Sequence, residues 1–289
     1  MKTTIKITLI AIVAIGIVAA IIHFAKGIGG SGNVQIAETN FEKEIQEQVK
    51  SGIKDKRYDE AHVAFNSIMG NINTEASVTL ADGSKSLKDS EVKKCKQMVC
   101  DAYAPIFLEY SMDHFNQPSW RDAELKQFKE EAQELLSMNA VEAGTQIETN
   151  LNGIIRTVNE YYAAKKIISQ ASNCSSVSAV SSLKSKARSY KHEPLTNNTS
   201  LLSALNTVEA TAKSAVERKI IAECDRVVYG YDTYADYATF YKAYDNANKR
   251  IKEYVSAFGY TQKLRTAQTN LYSVDKNALS YYANKERVS

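Results

Sequence analysis

The chain is 289 residues long and carries 36 lysines and arginines against 33 aspartates and glutamates, a formal charge of +3 at neutral pH. Lys2, Lys6 and Lys26 account for the whole excess, so the rest is neutral and lacks the strong positive field on which nucleic-acid binding rests. With only three prolines and twelve glycines, helices have few places where they must break, and the predicted fold is all-α: an N-terminal transmembrane helix, then a multi-helix bundle with coiled-coil-like antiparallel hairpins.

Residues 1–26 read as a membrane anchor. Ile7 to Ala25 contains no charged side chain, and about twenty helical residues at about 1.5 Å each cross a bilayer core of roughly 30 Å. The apolar run is longer than a usual signal-peptide core, which favours an uncleaved anchor at residues 5–25. Cleavage near Gly27, releasing a secreted form, is the alternative. Lys2 and Lys6 precede the run and only Lys26 follows before Glu38, so the positive-inside bias places the N-terminus in the cytoplasm and the remainder outside it. Residues 27–33 are a glycine-rich, flexible linker.

Residues 34–138 form the next predicted region. Phe41, Ile45, Val49 and Ile53 recur every four residues, and Tyr58, Ala61, Phe65 and Ile68 resume after the polar break Asp55-Lys56-Arg57, which predicts a helical hairpin. Tyr58-Asp59-Glu60-Ala61 with Phe65 resembles the second helix of a tetratricopeptide unit, whose packing places an aromatic four residues after a small residue. No second copy follows at about 34 residues, and no functional residue is carried over from that family. Residues 71–86 lose the helical period, and Asp82-Gly83 predicts a loop or small β-hairpin. A helix from about Leu87 should kink or end near Ala104, because Pro105 lacks a donor and clashes with the preceding turn. Ser119 with Asp122 makes a capping-box-like start, followed by a buried stripe of Leu125, Phe128, Ala132 and Leu135.

Residues 139–289 are predicted to form a long-helix bundle. Ile147, Leu151, Ile154, Val158, Tyr161 and Ile168 describe a heptad seam, and the serine-rich segment 172–182 suits a loop or a weak helix. Pro194 marks a break between Glu193 and Thr199. Leu201, Leu205, Val208, Ala212 and Ala215 then drift onto Val216, Ile220 and Val227. Gly230 suits a helix end, with Asp232 or Thr233 capping a helix whose seam is Tyr234, Tyr237, Tyr241, Tyr244, Ile251, Val255 and Phe258. Gly259 ends it. Thr261 opens the last helix, with Leu264, Ala267, Leu271, Val274, Ala278 and Tyr281 on one side. Short connections make such neighbours antiparallel.

The motifs of catalysis are missing. No histidine has a second one three to five residues away, and no phosphate-binding glycine loop or nucleophile elbow is present. His62, His114 and His192 read as structural, and Glu130, Glu131 and Glu134 as a solvated helix face. No catalytic residue, cofactor or metal ligand is therefore expected, and the chain is read as a non-enzyme. Cys95, Cys100, Cys174 and Cys224 are an even set. Outside the cytoplasm Cys174 with Cys224 is the disulfide to test, against the alternative of buried free thiols.

Seventeen tyrosines are the one unusual concentration, six of them between Tyr229 and Tyr244. Seam spacing favours a core role for Tyr234, Tyr237, Tyr241 and Tyr244, whereas Tyr229 and Tyr231 flank a turn and are the expected ligand or partner surface. Residues 27–182 hold 16 basic and 22 acidic side chains and residues 183–289 hold 17 and 11, an asymmetry compatible with a homo-oligomer. The expected role is a membrane-anchored extracytoplasmic scaffold or adaptor with a protein partner. The alternative is a glycan or cell-wall binding module.

Overall fold

A computed structural model describes residues 40–80, 83–138, 141 and 143–288. The expected anchor at 5–25 and the linker at 27–33 lie outside them. Among the described residues the chain is all-helical, with α1 Asn40–Gly52, α2 Tyr58–Ser77, α3 Asp89–Phe115, α4 Asp122–Ser137, α5 Gln146–Ser172, α6 Val177–Ser189, α7 Thr199–Tyr229, α8 Tyr237–Phe258 and α9 Gln262–Val288. None of these is long and apolar enough to cross a membrane. The chain divides into two compact units: residues up to 114 with 123–155, and residues 115–122 with 156–289. Thus α5 contributes residues 146–155 to the first unit and 156–172 to the second.

In the first unit, Ile45, Val49 and Ile53 from α1 and Tyr58, Ala61, Phe65, Ile68 and Ile72 from α2 are buried at the predicted spacing. Helix α2 runs on to Ser77, so residues 71–77 are helical rather than loop. The predicted hairpin reduces to a single antiparallel bridge, Thr79 to Lys85, closed by Leu80 N–H donating to Ser84 O at 2.7 Å. Helix α3 continues through Pro105 to Phe115 rather than ending at Ala104. The missing donor costs one backbone bond, but Tyr103, Ala104, Phe107 and Leu108 are all buried around it, and tertiary burial outweighs the local propensity. Helix α4 buries Leu125, Phe128, Ala132 and Leu135 as its stripe predicts, but starts at Asp122 instead of just after Ser119.

The second unit is built from α6 to α9, the C-terminal part of α5 and the segment 115–122. That segment is held by Trp120, whose ring centroid lies 5.2 Å from Phe115 and 5.6 Å from Tyr161, and by Asp122, which accepts from Tyr161 Oη at 3.0 Å and Lys165 Nζ at 2.7 Å. The seam of α5 buries Leu151, Ile154, Val158 and Tyr161 as expected, then shifts to Ala164, Ile167 and Ala171. A strict heptad drifts around a straight helix of 3.6 residues per turn, which is why Ile167 displaces Ile168.

The serine-rich stretch is a helix, α6, whose N-cap Ser176 accepts from Ala179 N–H. Glu193–Pro194 is a cis peptide, followed by a 3-10 turn at Leu195–Asn197. Asn198 then caps α7 by accepting from Leu201 N–H at 2.9 Å. All eight residues predicted for the α7 stripe are buried, together with Cys224. Gly259 ends α8 at φ 83°, in the left-handed region where glycine carries no Cβ penalty. Thr261 Oγ1 accepts from Leu264 N–H at the start of α9.

Candidate functional site

Most tyrosines of the second unit lie around the turn between α7 and α8 and along α8 and α9. Gly230 ends α7, but the cap of α8 is Asp236, which accepts from Thr239 N–H at 2.7 Å, not Asp232 or Thr233. Starting α8 there rotates its buried stripe onto Phe240, Ala247, Ile251 and Tyr254. Tyr241, expected in the core, is 48% exposed, and Tyr234, Tyr237 and Tyr244 are half-buried. On α9 the buried residue is Tyr282 rather than Tyr281. Its hydroxyl donates to the carbonyls of Tyr231 at 2.6 Å and Tyr234 at 2.9 Å, tying the turn to the helix.

Of the two residues expected to form a surface, Tyr229 is 77% exposed. Tyr231 is half-buried and packs edge-on against Tyr281, centroids 5.9 Å apart. Tyr237 lies tilted against Tyr241 at 6.0 Å, and Tyr241 stacks on Tyr244 at 5.7 Å. Tyr229 is thus an exposed phenol at the end of α7, followed in the chain by tyrosines that pack on one another, and exposed aromatic side chains suit contact with large, partly apolar groups.

Comparison with known proteins finds no matching family, relative or solved structure.

All four cysteines are buried free thiols. Arg250 holds the flanks of both members of the expected pair: it donates to Ser175 O at 2.8 Å and ion-pairs with Glu223, beside Cys174 and Cys224. Burial, with the charges of Glu223 and Asp225, pushes the Cys224 thiol up to about 11, and burial pushes Cys100 up to about 12. Both are therefore thiols, not reactive thiolates, at neutral pH. His192 sits on the surface with Nε2 3.6 Å from Glu160, and His114 has Nδ1 3.6 Å from Glu124.

The first unit holds a feature that helix periodicity did not reveal. Glu130 and Glu134 are exposed as expected, but Glu131 is only 5% exposed, which corrects the reading of this trio as a solvated face. Its Oε2 accepts from Tyr58 Oη at 2.8 Å, and its Oε1 accepts from Tyr103 Oη. His62 Nδ1 lies 2.8 Å from Tyr103 Oη and 3.4 Å from Glu131 Oε1. Gln127 donates to Tyr58 Oη at 3.1 Å, and the Asn66 amide meets His62 Nε2 at 3.0 Å. Helix α2 supplies Tyr58 and His62 one turn apart, α3 supplies Tyr103, and α4 supplies Glu131. Around this network Phe65 stacks on Tyr103 at 4.3 Å and Tyr110 on Tyr58 at 4.0 Å.

Burial pushes both phenols well above the ordinary tyrosine range, and the Glu131 carboxylate adds to the shift. They are neutral donors to a buried carboxylate. Such a carboxylate needs its lone pairs satisfied, and the two hydroxyls do so. His62, with its side chain 30% exposed, is the member that faces solvent.

Proposed function

We propose that this chain is a membrane-anchored, extracytoplasmic helical scaffold or adaptor that acts through protein–protein contacts and performs no catalysis of its own. The charge-free run from Ile7 to Ala25 supports the anchor, and its flanking lysines support the outward orientation. The observation that carries the contact surface is Tyr229, 77% exposed at the end of α7 and followed in the chain by Tyr231, whose ring packs on Tyr281. Aromatic side chains with a rigid support are the usual anchors of protein interfaces. The opposite net charges of residues 27–182 and 183–289 also suit self-association.

The test is a photo-crosslinking residue at position 229 of the full chain in its native membrane, with position 130 as the control. The reading predicts a discrete protein adduct at 229 that is absent at 130. Uncrosslinked monomer at both positions contradicts it. A glycan or cell-wall ligand is the second reading, favoured by the edge-on pair Tyr231–Tyr281 next to Tyr229. It requires that Tyr229→Ala and Tyr231→Ala abolish retention on such polymers while helicity is kept.

A further inference from the structure

Helices α8 and α9 present one continuous tyrosine face, and we propose that this face lies on an anionic lipid surface. On α8, Tyr237, Tyr241, Tyr244 and Asn248 follow one another at helical spacing along one side. Two hydrogen bonds cross to α9 and fix what stands opposite them. Tyr237 Oη donates to Asp275 Oδ1 at 3.1 Å, and Tyr272 Oη donates to Asn248 Oδ1 at 3.5 Å. Gln268 extends the face towards the α8–α9 turn: its Nε2 donates to Tyr272 Oη at 3.1 Å, and its Oε1 accepts from Tyr260 Oη at 3.0 Å. Lys276 and Leu279 lie one and two turns beyond Tyr272 on the same side of α9, and Arg265 two turns before it.

These rings are not spent on the core. Tyr241, Tyr260 and Tyr272 are each close to half exposed, and Leu279 is 55% exposed. A half-exposed tyrosine offers an apolar ring and a wet hydroxyl together, the combination that the headgroup region of a bilayer accommodates and that gathers tyrosine at membrane–water boundaries.

Charge picks the kind of surface. Tyr237–Val288 carries nine basic side chains against four acidic ones, so most of the positive balance of residues 183–289 sits on these two helices. Arg265 and Lys276 are exposed on the tyrosine side of α9, Arg265 with its guanidinium 5.3 Å from the Tyr260 ring centroid, and Lys242 is exposed next to Tyr241. Asp275, within the face, is half-buried and accepts from Tyr237. Lysine and arginine lay their apolar stems along such a surface and reach anionic headgroups with their charged ends. Each such residue strengthens binding about fivefold.

The proposal goes beyond the protein-contact reading at Tyr229 and rests on the anchor for its reach. Fourteen residues, 26–39, join the apolar run to α1 and span at most about 50 Å. A face of modest lipid affinity on a chain so tethered meets the bilayer at high effective concentration. The anchor then holds the chain at the membrane, and the tyrosine face decides which side of the second unit turns towards it.

The test reconstitutes the full chain in vesicles of phosphatidylcholine, alone or mixed with phosphatidylglycerol. A photo-crosslinking residue replaces Leu279 or, as control, Ser214, which is exposed on α7. With phosphatidylglycerol present, lipid adduct at 279 should exceed that at 214 by about fivefold or more, and phosphatidylcholine alone or the pair Arg265→Glu with Lys276→Glu should lower it by about as much. Equal lipid adduct at the two positions overturns the proposal, as does an adduct at 279 that joins two protein chains instead of lipid. A yield that neither lipid composition nor charge reversal changes also overturns it. Should the reversed pair fail to fold, the comparison of lipids in the unreversed chain decides. Loss of uncrosslinked chains from the vesicles in an alkaline wash contradicts the anchor alone, and the adduct at 279 still decides the face.

Discussion

Tyr103→Phe removes a single oxygen from the centre of the first unit and leaves its volume almost unchanged. Tyr103 is fully buried, its ring stacks on Phe65 at 4.3 Å, and only the hydroxyl meets Glu131 and His62. No cavity opens, so the cost is that of the hydroxyl's contacts with Glu131 and His62, of which the bond to the carboxylate dominates at about 1.5–3 kcal/mol. For a unit of this size about 1 kcal/mol moves the midpoint by roughly 4–8 °C. The melting transition of the first unit should therefore fall by roughly 6–24 °C. Tyr58→Phe should cost less, since Tyr58 sits beside the exposed Gln127 and water can take its place. Combining Tyr103→Phe with Glu131→Gln should cost less than the sum, because both changes remove the same contact. The assay is thermal unfolding of the full chain, with hydrogen exchange in α2 and α3 to assign the transition to the first unit. A Tyr103→Phe midpoint within about 1 °C of the parent, or strict additivity in the double variant, would refute a network centred on Glu131.

Alkaline pH probes the same network. The folded state raises the Tyr58 and Tyr103 phenols above their unfolded value near 10.0, so their contribution is complete below that value and is lost as pH rises towards their folded range. Urea midpoints should fall above about pH 10, and less steeply in Tyr103→Phe. In the second unit, Gly230→Ala would place a Cβ 2.8 Å from Arg226 O. It should lower the second unit's melting midpoint by several degrees while leaving the first unit's in place. Asn198→Ala removes a buried cap, Asp236→Ala an exposed one. The first should cost up to about 2 kcal/mol and the second about 1, and denaturant midpoints rank them. Phe240→Ala empties a fully buried position and should cost about 3–5 kcal/mol. A loss below about 1 kcal/mol would mean that the buried register of α8 is wrong.

Where one apolar face dominates, the sequence was a reliable guide. The α7 stripe from Leu201 to Val227 and the α9 stripe from Leu264 to Ala278 lie in the core as their spacing predicts. The pattern misled where tyrosine stood in for an aliphatic residue. Along α8 a tyrosine face and the Phe240–Ala247–Ile251–Tyr254 face are both plausible at helical spacing. The choice between them fell to the cap at Asp236, a few residues beyond the Asp232 or Thr233 that the turn suggested. Pro105 misled in the opposite sense, because a helix end was read from a lost donor that core packing tolerates.

The Glu131 network was invisible for a different reason. Its residues are spread over 74 positions of sequence, and a glutamate flanked by Glu130 and Glu134 carries no local mark of burial. A signal was available in Glu131-Ala132 against Leu135. Glu131 stands four residues before Leu135 and next to Ala132, on the side of α4 that also buries Leu125, Phe128 and Ala132. A charge in that position is expected to find buried donors, and the tyrosines of α2 and α3 supply them.

The proposal tested most directly is that the folded helices stand outside a membrane crossed by residues 5–25. Reporter fusions after residue 30 and at residue 289 of the full chain measure this directly. The account predicts that both reporters are active only on the extracytoplasmic side and remain with the membrane fraction. Cytoplasmic activity at both positions would contradict it.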